Sequence, residues 1–219
     1  MKCVENEGEE SVYTVKRLVD FYGLNCLSVH SAGLYVKNEN EIAKAIFYGK
    51  VSVDFAFKLS SPILVVHSFV SRKLPENLRK KFLTRIFEEF NHYARSLNVK
   101  LALENLSWKS NGFGKSVSEV EEILRIVDDG TMGITIDFCH AEALGQTLGF
   151  LEKFKNRIFN VHLSNLNHGA FNEEIPNLGA FLTKLREYGY DGPLTIELNS
   201  RCGIEETRKT KMILQRILN

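Results

Sequence analysis

Six apolar runs in this sequence end on a residue able to bind a metal or move a proton. Leu27-Ser28-Val29 is followed by His30, Leu64-Val65-Val66 by His67, and Leu101-Ala102-Leu103 by Glu104. Ile134-Thr135-Ile136 is followed by Asp137, Asn160-Val161 by His162, and Leu194-Thr195-Ile196 by Glu197. A buried strand gains no stability from such an ending, because burying an uncompensated charge is costly. One such residue reads as a solvated loop position, but six at the same place in successive runs point to a face built for chemistry. The histidines repeat the pattern: His30, His67, His140, His162 and His168 fall at or just beyond run ends, and only His92 sits inside a helical period. Carboxylates mixed with neutral imidazoles suit a divalent cation, Mn²⁺, Zn²⁺, Co²⁺ or Mg²⁺, and the imidazoles turn the choice away from Ca²⁺.

Those residues can meet only if the runs are parallel strands of one sheet. The runs that read as strands are Lys2–Val4, Cys26–Val29, Ile63–Val66, Val99–Leu103, Ile134–Ile136, Ile158–Val161 and Leu194–Ile196. Amphipathic stretches follow them at Glu10–Tyr22, Glu41–Leu59, Pro75–Leu97, Ser118–Asp128, Ala141–Asn156, Leu178–Tyr188 and Ile204–Leu218. In Pro75–Leu97 the apolar residues Leu78, Phe82, Ile86, Phe90 and Leu97 recur at helical spacing, and Ser116-x-x-Glu119 is a capping-box signature before the next helix. Strict βα alternation predicts either an open doubly wound sheet or a closed (β/α) barrel. The phosphate-cradling glycine motifs are missing, and Gly112-Phe113-Gly114 is too short to replace them. That weakens the nucleotide-binding reading; in a parallel barrel the ionisable ends would all gather on the C-terminal rim.

Composition bounds the partners. With 28 Lys+Arg against 27 Asp+Glu, the net charge of +1 counts against a nucleic-acid or membrane-surface partner, while leaving a local basic patch open. The 219 residues, 44% hydrophobic and 25% charged, without a Pro-, Gly- or Ser-rich divider, read as one globular domain over 1–219. No run approaches a membrane span and the acidic start lacks a signal-peptide core, so a cytoplasmic protein is expected. Cys3, Cys26, Cys139 and Cys202 are too scattered for a disulfide framework or a thiolate zinc site, and Cys139 reads as a small buried side chain.

The segments Leu101-Ala102-Leu103-Glu104-Asn105, Ile136-Asp137-Phe138-Cys139-His140, Asn160-Val161-His162-Leu163-Ser164 and Tyr188 to Glu197 resemble the xylose isomerase-like TIM-barrel superfamily. That group contains sugar and sugar-phosphate isomerases and epimerases and the endonuclease IV type of abasic-site nuclease. The resemblance implies that Glu104, Asp137, His162 and Glu197 hold a divalent metal ion, and that His140 lies beside it, contacting substrate oxygen or a second metal. It further implies a small sugar, sugar phosphate or related hydroxy-carbonyl substrate, isomerised by proton transfer next to the carbonyl. Glu104 and Glu197 are then the general acid and base. His67, Trp108 and His168, at the same rim, are expected to contact substrate. Phe113 and Phe171 serve either as an apolar wall with Trp108 or as loop anchors, and Lys109, Lys115 and Arg201 read as solvated loop charge before phosphate ligands.

Two departures keep alternatives open. Asn165 stands where the nuclease branch commonly has Asp, and Asn172 and Glu174 stand where it has an Asp-x-His pair, although His30 and His67 would add imidazoles to a nuclease-like centre. Lys2–Val4 resembles the second strand of the superfamily barrel, so a seven-stranded barrel lacking the usual first βα unit is expected, against the usual eight strands in ~250 residues. Such a barrel has an edge that a second copy could cover, making a homo-oligomer an option. A non-catalytic binding protein on a degenerate barrel is the remaining alternative.

Overall fold

The computed structural model describes residues 8–172 and 175–218. Within them six parallel strands pair in chain order: β1 (Val29–His30), β2 (Ile63–Val66), β3 (Lys100–Glu104), β4 (Gly133–Asp137), β5 (Ile158–Leu163) and β6 (Leu194–Ile196). The helices are α1 (Gly8–Phe21), α2 (Ile42–Lys58), α3 (Glu76–Ser96), α4 (Val117–Val127), α5 (Phe138–Glu142), α6 (Thr147–Phe154), α7 (Pro176–Glu187) and α8 (Ile204–Leu218). β2 and β3 also approach β5 across the interior, so the sheet curls into a barrel wall. Among the described residues β1 pairs only with β2 and β6 only with β5, which makes this wall an open part-barrel. The expected strand Lys2–Val4 lies outside the described residues, and no eighth parallel strand is found among them. No described helix is long and apolar enough to cross a membrane.

The two-residue period of a strand sorts side chains into two layers. Leu64, Val66, Leu101, Leu103, Ile134, Ile136, Val161 and Leu163 point outward into the main core with Phe82, Ile86 and Phe90 of α3 and Ile123 of α4. The opposite set lines the interior: Ile63, Val65 and Ala102 at the bottom, then Thr135 and Asn160, and at the top Glu104, Asp137 and His162. A register shift between Ile134 and Thr135 adds one residue to β5, and Phe159 packs against the lower interior cluster. Gly133 leaves the space for that ring, since a Cβ there would sit 2.3 Å from it.

Three element boundaries differ from expectation. The first described strand is Val29–His30 rather than Cys26–Val29, because only Val29 and His30 find partners on β2, in Leu64 and Val65. The stretch Ala141–Asn156 is two helices, α5 and α6, separated where Gly145 takes a φ of +62°. His30, Glu104, Asp137 and His162 are the last or near-last members of their strands rather than loop residues, so ladder pairing itself fixes their height.

Candidate metal centre and active site

β3, β4 and β5 deliver Glu104, Asp137 and His162 to one point, and Glu197 arrives one residue after β6 with its N–H donating to the Leu163 carbonyl (3.1 Å). Ligand-capable atoms of these four side chains all lie within 4.8 Å of one another. His162 Nδ1 donates to Glu104 Oε1 (3.0 Å) and lies 2.8 Å from Glu197 Oε2. Asn105 clamps the ends of β3 and β4: its Oδ1 accepts the Asp137 N–H (2.8 Å), and its Nδ2 donates to the Asp137 carbonyl (3.0 Å). Asp137 Oδ1 in turn accepts the His140 N–H (2.8 Å) at the start of α5. Asp137 Oδ2 is buried and has no hydrogen-bond partner.

Glu104 is shared with a second group. Its Oε2 lies 2.8 Å from His30 Nε2 and 3.0 Å from His67 Nε2, so three imidazoles surround one buried carboxylate. His30 Nδ1 donates to the Ser31 carbonyl (2.9 Å), and the His67 ring lies parallel to Tyr35, 6.4 Å between centroids. A third group forms on the other side, where His140 Nδ1 donates to the Asn105 carbonyl (2.8 Å) and His140 Nε2 lies 3.1 Å from His168 Nε2.

The charges are strongly interdependent. Burial opposes ionisation of Glu104, but His30, His162 and His67 outweigh it and hold the carboxyl well below the usual range. Burial and the Glu104 charge push Asp137 well above its usual range. Burial opposes protonation of His162, yet Glu104 and Glu197 override it and push the pKa up to about 10. Glu197 is lowered, its burial outweighed by the hydrogen bond from His162. Carboxylates driven together in a nearly dry site, one of them with an orphaned oxygen, fit a divalent cation, which would neutralise the repulsion and take the free Asp137 lone pairs.

Residues 4–216 match the family model described as the xylose isomerase-like TIM barrel. The chain belongs to this family. Among its relatives is the uncharacterised protein MJ1311 of Methanocaldococcus jannaschii, 31% identical over 178 residues, 76% of this chain and 60% of that protein. The inosose isomerase of Halalkalibacterium halodurans is 25% identical over 211 residues, covering 85% of this chain and 72% of the isomerase. The crystal structure of a D-tagatose 3-epimerase-like protein superposes with a TM-score of 0.83 at 27% identity, covering 96% of this chain and 83% of that one.

In this xylose isomerase-like barrel a rim cavity of about 340 Å³ opens on the side of His140 and His168, lined also by Trp108, Lys109, Cys139 and Leu166, and not by the four converging side chains themselves. Its size lies within the range of small-molecule sites. Trp108 stands at the mouth, 54% exposed, with Lys109 Nζ 5.1 Å from its ring centroid and Lys115 Nζ donating to its carbonyl (2.7 Å). Glu119 holds this loop by accepting the Gly114 and Lys115 N–H groups (3.0 and 2.8 Å), while Ser116 caps α4. Lys109 donates to Asn167 Oδ1 (2.8 Å), and the Arg201 N–H donates to Asn199 Oδ1 (2.9 Å).

Several rim expectations change. Phe113 and Phe171 are no part of a substrate wall: both are buried, Phe113 beneath the Arg79 guanidinium and Phe171 against Phe138, because the loops fold inward there. His67 Nε2 lies 3.0 Å from Glu104 Oε2. Asn165 is exposed and caps its own turn by accepting the Leu166 N–H (2.8 Å), and Glu174 lies outside the described residues. Asn105, Tyr35 and Asn199 were not expected at the site. Asn105 directly follows a ligand-type strand end, the one sequence feature that could have marked it.

Proposed function

We propose that this chain is a divalent-metal-dependent isomerase or epimerase acting on a small sugar, sugar phosphate or related hydroxy-carbonyl compound. The observation that carries the reading is the convergence of ligand-capable atoms of Glu104, Asp137, His162 and Glu197 within 4.8 Å of one another. The names of the inosose isomerase and the D-tagatose 3-epimerase-like relatives support the substrate class. Those four residues would hold the ion, which when bound supplies polarisation of a substrate carbonyl and acidifies the neighbouring C–H.

The chain's own residues do the rest. Glu104 from β3 and Glu197 from β6 approach His162 from different strands, so one removes the proton beside the carbonyl while the other returns a proton. His140, its Nδ1–H fixed on the Asn105 carbonyl and its Nε2 against His168, lines the cavity where it would meet substrate oxygen. Trp108 covers the carbon chain, and the buried aromatic and aliphatic layer beneath excludes water.

A second reading, metal-dependent phosphodiester hydrolysis at abasic DNA, is favoured by one observation: His30 and His67 form a second ligand-type group on the same Glu104 carboxylate. One experiment separates the readings. The purified protein is assayed for bound metal by mass spectrometry, then incubated in D2O with a panel of ketoses and separately with an abasic-site duplex. Deuterium incorporation next to the carbonyl, lost in Glu197→Gln and kept in His67→Asn, is expected. Strand cleavage that disappears in His67→Asn would replace the isomerase reading, and a protein that binds no divalent metal would leave the non-catalytic barrel.

A further inference from the structure

α1 is apolar on two faces, and the described residues cover only one of them. At 3.6 residues per turn Val12 and Val19 fall together and turn inward, Val12 buried and Val19 half-buried. Thr14, Val15, Leu18, Phe21 and Tyr22 share a second face about a quarter turn away, and all five are exposed, Phe21 by 80% and Tyr22 by 67%. Tyr22 keeps the helical phase because its N–H donates to the Leu18 carbonyl (3.0 Å). The helix then stops at Gly23, whose φ is +60°, and Leu24 and Leu27, both exposed, continue the apolar surface along the chain towards β1.

No charged residue lies in this stripe, in a chain that is 25% charged. The charges of α1 sit on its other sides: Lys16 pairs with Asp20 (2.6 Å), and Arg17 reaches Thr14 Oγ1 (3.4 Å) from the border. Tyr13 turns to α2, where Lys58 Nζ lies 5.5 Å from its ring centroid. A charge-free apolar centre with a polar rim is the composition of a protein interface. Phe21 and Tyr22 leave roughly 300 Å² of ring surface open. With Val15, Leu18, Leu24 and Leu27, each about half exposed, the patch reaches roughly 600 Å², the upper end of what a monomer carries. Its polar border brings it to the roughly 800 Å² that each partner contributes to a stable complex.

The order of side chains along the stripe selects the occupant. Thr14 and Val15 are small, Phe21 and Tyr22 are aromatic, and Leu18 stands midway. Turned end for end, the stripe therefore fits itself, its small end against the aromatic end of a copy, as a two-fold contact requires. We propose that this face of α1 joins two copies of this chain as an antiparallel helix pair, with the two-fold axis beside Leu18. The contact is a helix face, distinct from the strand edge at β1, and it stands independently of the metal centre.

Sedimentation equilibrium of the full chain at micromolar concentration tests it, with circular dichroism to confirm that each variant is folded. Wild type should be a dimer. Leu18→Glu, a change at an exposed position, should weaken the dimer by ~100-fold or more, because a two-fold contact loses the side chain twice. Under mild oxidant Leu18→Cys should form a covalent dimer that neither wild type, with its own cysteines, nor Asp20→Cys, on the opposite side of α1, forms. A monomeric wild type, with the stripe covered by another segment of the chain or by a different protein, overturns the proposal. A dimer whose affinity is unchanged in Leu18→Glu overturns it as well. Should Leu18→Glu fail to fold, Leu18→Cys decides, and the absence of a specific cross-link overturns the contact.

Discussion

His162 should make the metal-free protein lose stability as pH rises, opposite to the usual effect of a buried histidine. Its ring is 4% exposed, and two carboxylates lift its pKa from 6.5 to about 10. The folded chain therefore keeps a proton that the unfolded chain releases near pH 6.5. The resulting stabilisation is complete below pH 6.5 and is lost as pH rises through 10. At about 1.4 kcal/mol for each pH unit between those values, the full effect is on the order of 5 kcal/mol. His162→Gln keeps a side-chain donor but does not titrate. Urea unfolding of both metal-stripped proteins should give a stability difference that shrinks by roughly 3 kcal/mol between pH 7 and pH 9. A difference that stays constant over that range would refute the imidazolium. The same proton must leave when a divalent ion binds, because a ligating imidazole is neutral. At pH 8 calorimetry in buffers of different ionisation enthalpy should register about one proton released from His162 on binding.

Asp137→Asn should stabilise the metal-free protein at neutral pH, since burial and Glu104 raise the Asp137 pKa; the ionisation cost is absent below pH 3.8 and grows as pH rises through the folded value. The same variant should bind divalent metal far more weakly, checked by competition with a chelating dye. Glu197→Gln has the opposite sign: the lowered pKa of Glu197 contributes stability above pH 4.5, so its loss should lower the unfolding midpoint of the metal-free protein, while deuterium exchange into substrate falls ~10²-fold or more. Asn105→Ala leaves both the N–H and the carbonyl of Asp137 without their partner and should cost about 2 kcal/mol by urea unfolding. Trp108→Ala, at an exposed position, should change stability by less than about 0.5 kcal/mol and raise KM for the sugar.

The convergence of Glu104, Asp137 and His162 was legible because strands impose a period that a sequence displays openly. Glu104, Asp137 and His162 follow apolar residues at the one phase that turns them inward, and parallel pairing then requires them to share a rim. Loops carry no such period. Phe113, Phe171 and Trp108 look alike in sequence, yet two are core residues and one is exposed, since only the folded loop decides which aromatic ring turns inward. His168 reads as one more rim histidine until Asn199, 31 residues later, is seen holding its carbonyl. The split between α5 and α6 was hidden for a similar reason: Phe150, Leu151 and Phe154 continue a helical apolar pattern, and only the left-handed Gly145 interrupts it.

Glu104 joins two ligand-type groups at this one rim. Its Oε1 faces His162, while Oε2 faces His30 and His67. A single carboxylate thus couples two groups whose other members come from different strands, and a change on one side must alter the charge felt on the other. Asp137 repeats the arrangement, facing Glu104 with one group and His140 and His168 with the next. The rim is a row of imidazoles hinged on two buried carboxylates. Its outer members, His30, His67 and His168, come from β1, the end of β2 and the turn after β5, apart from the interior cluster of Ile63, Val65 and Ala102.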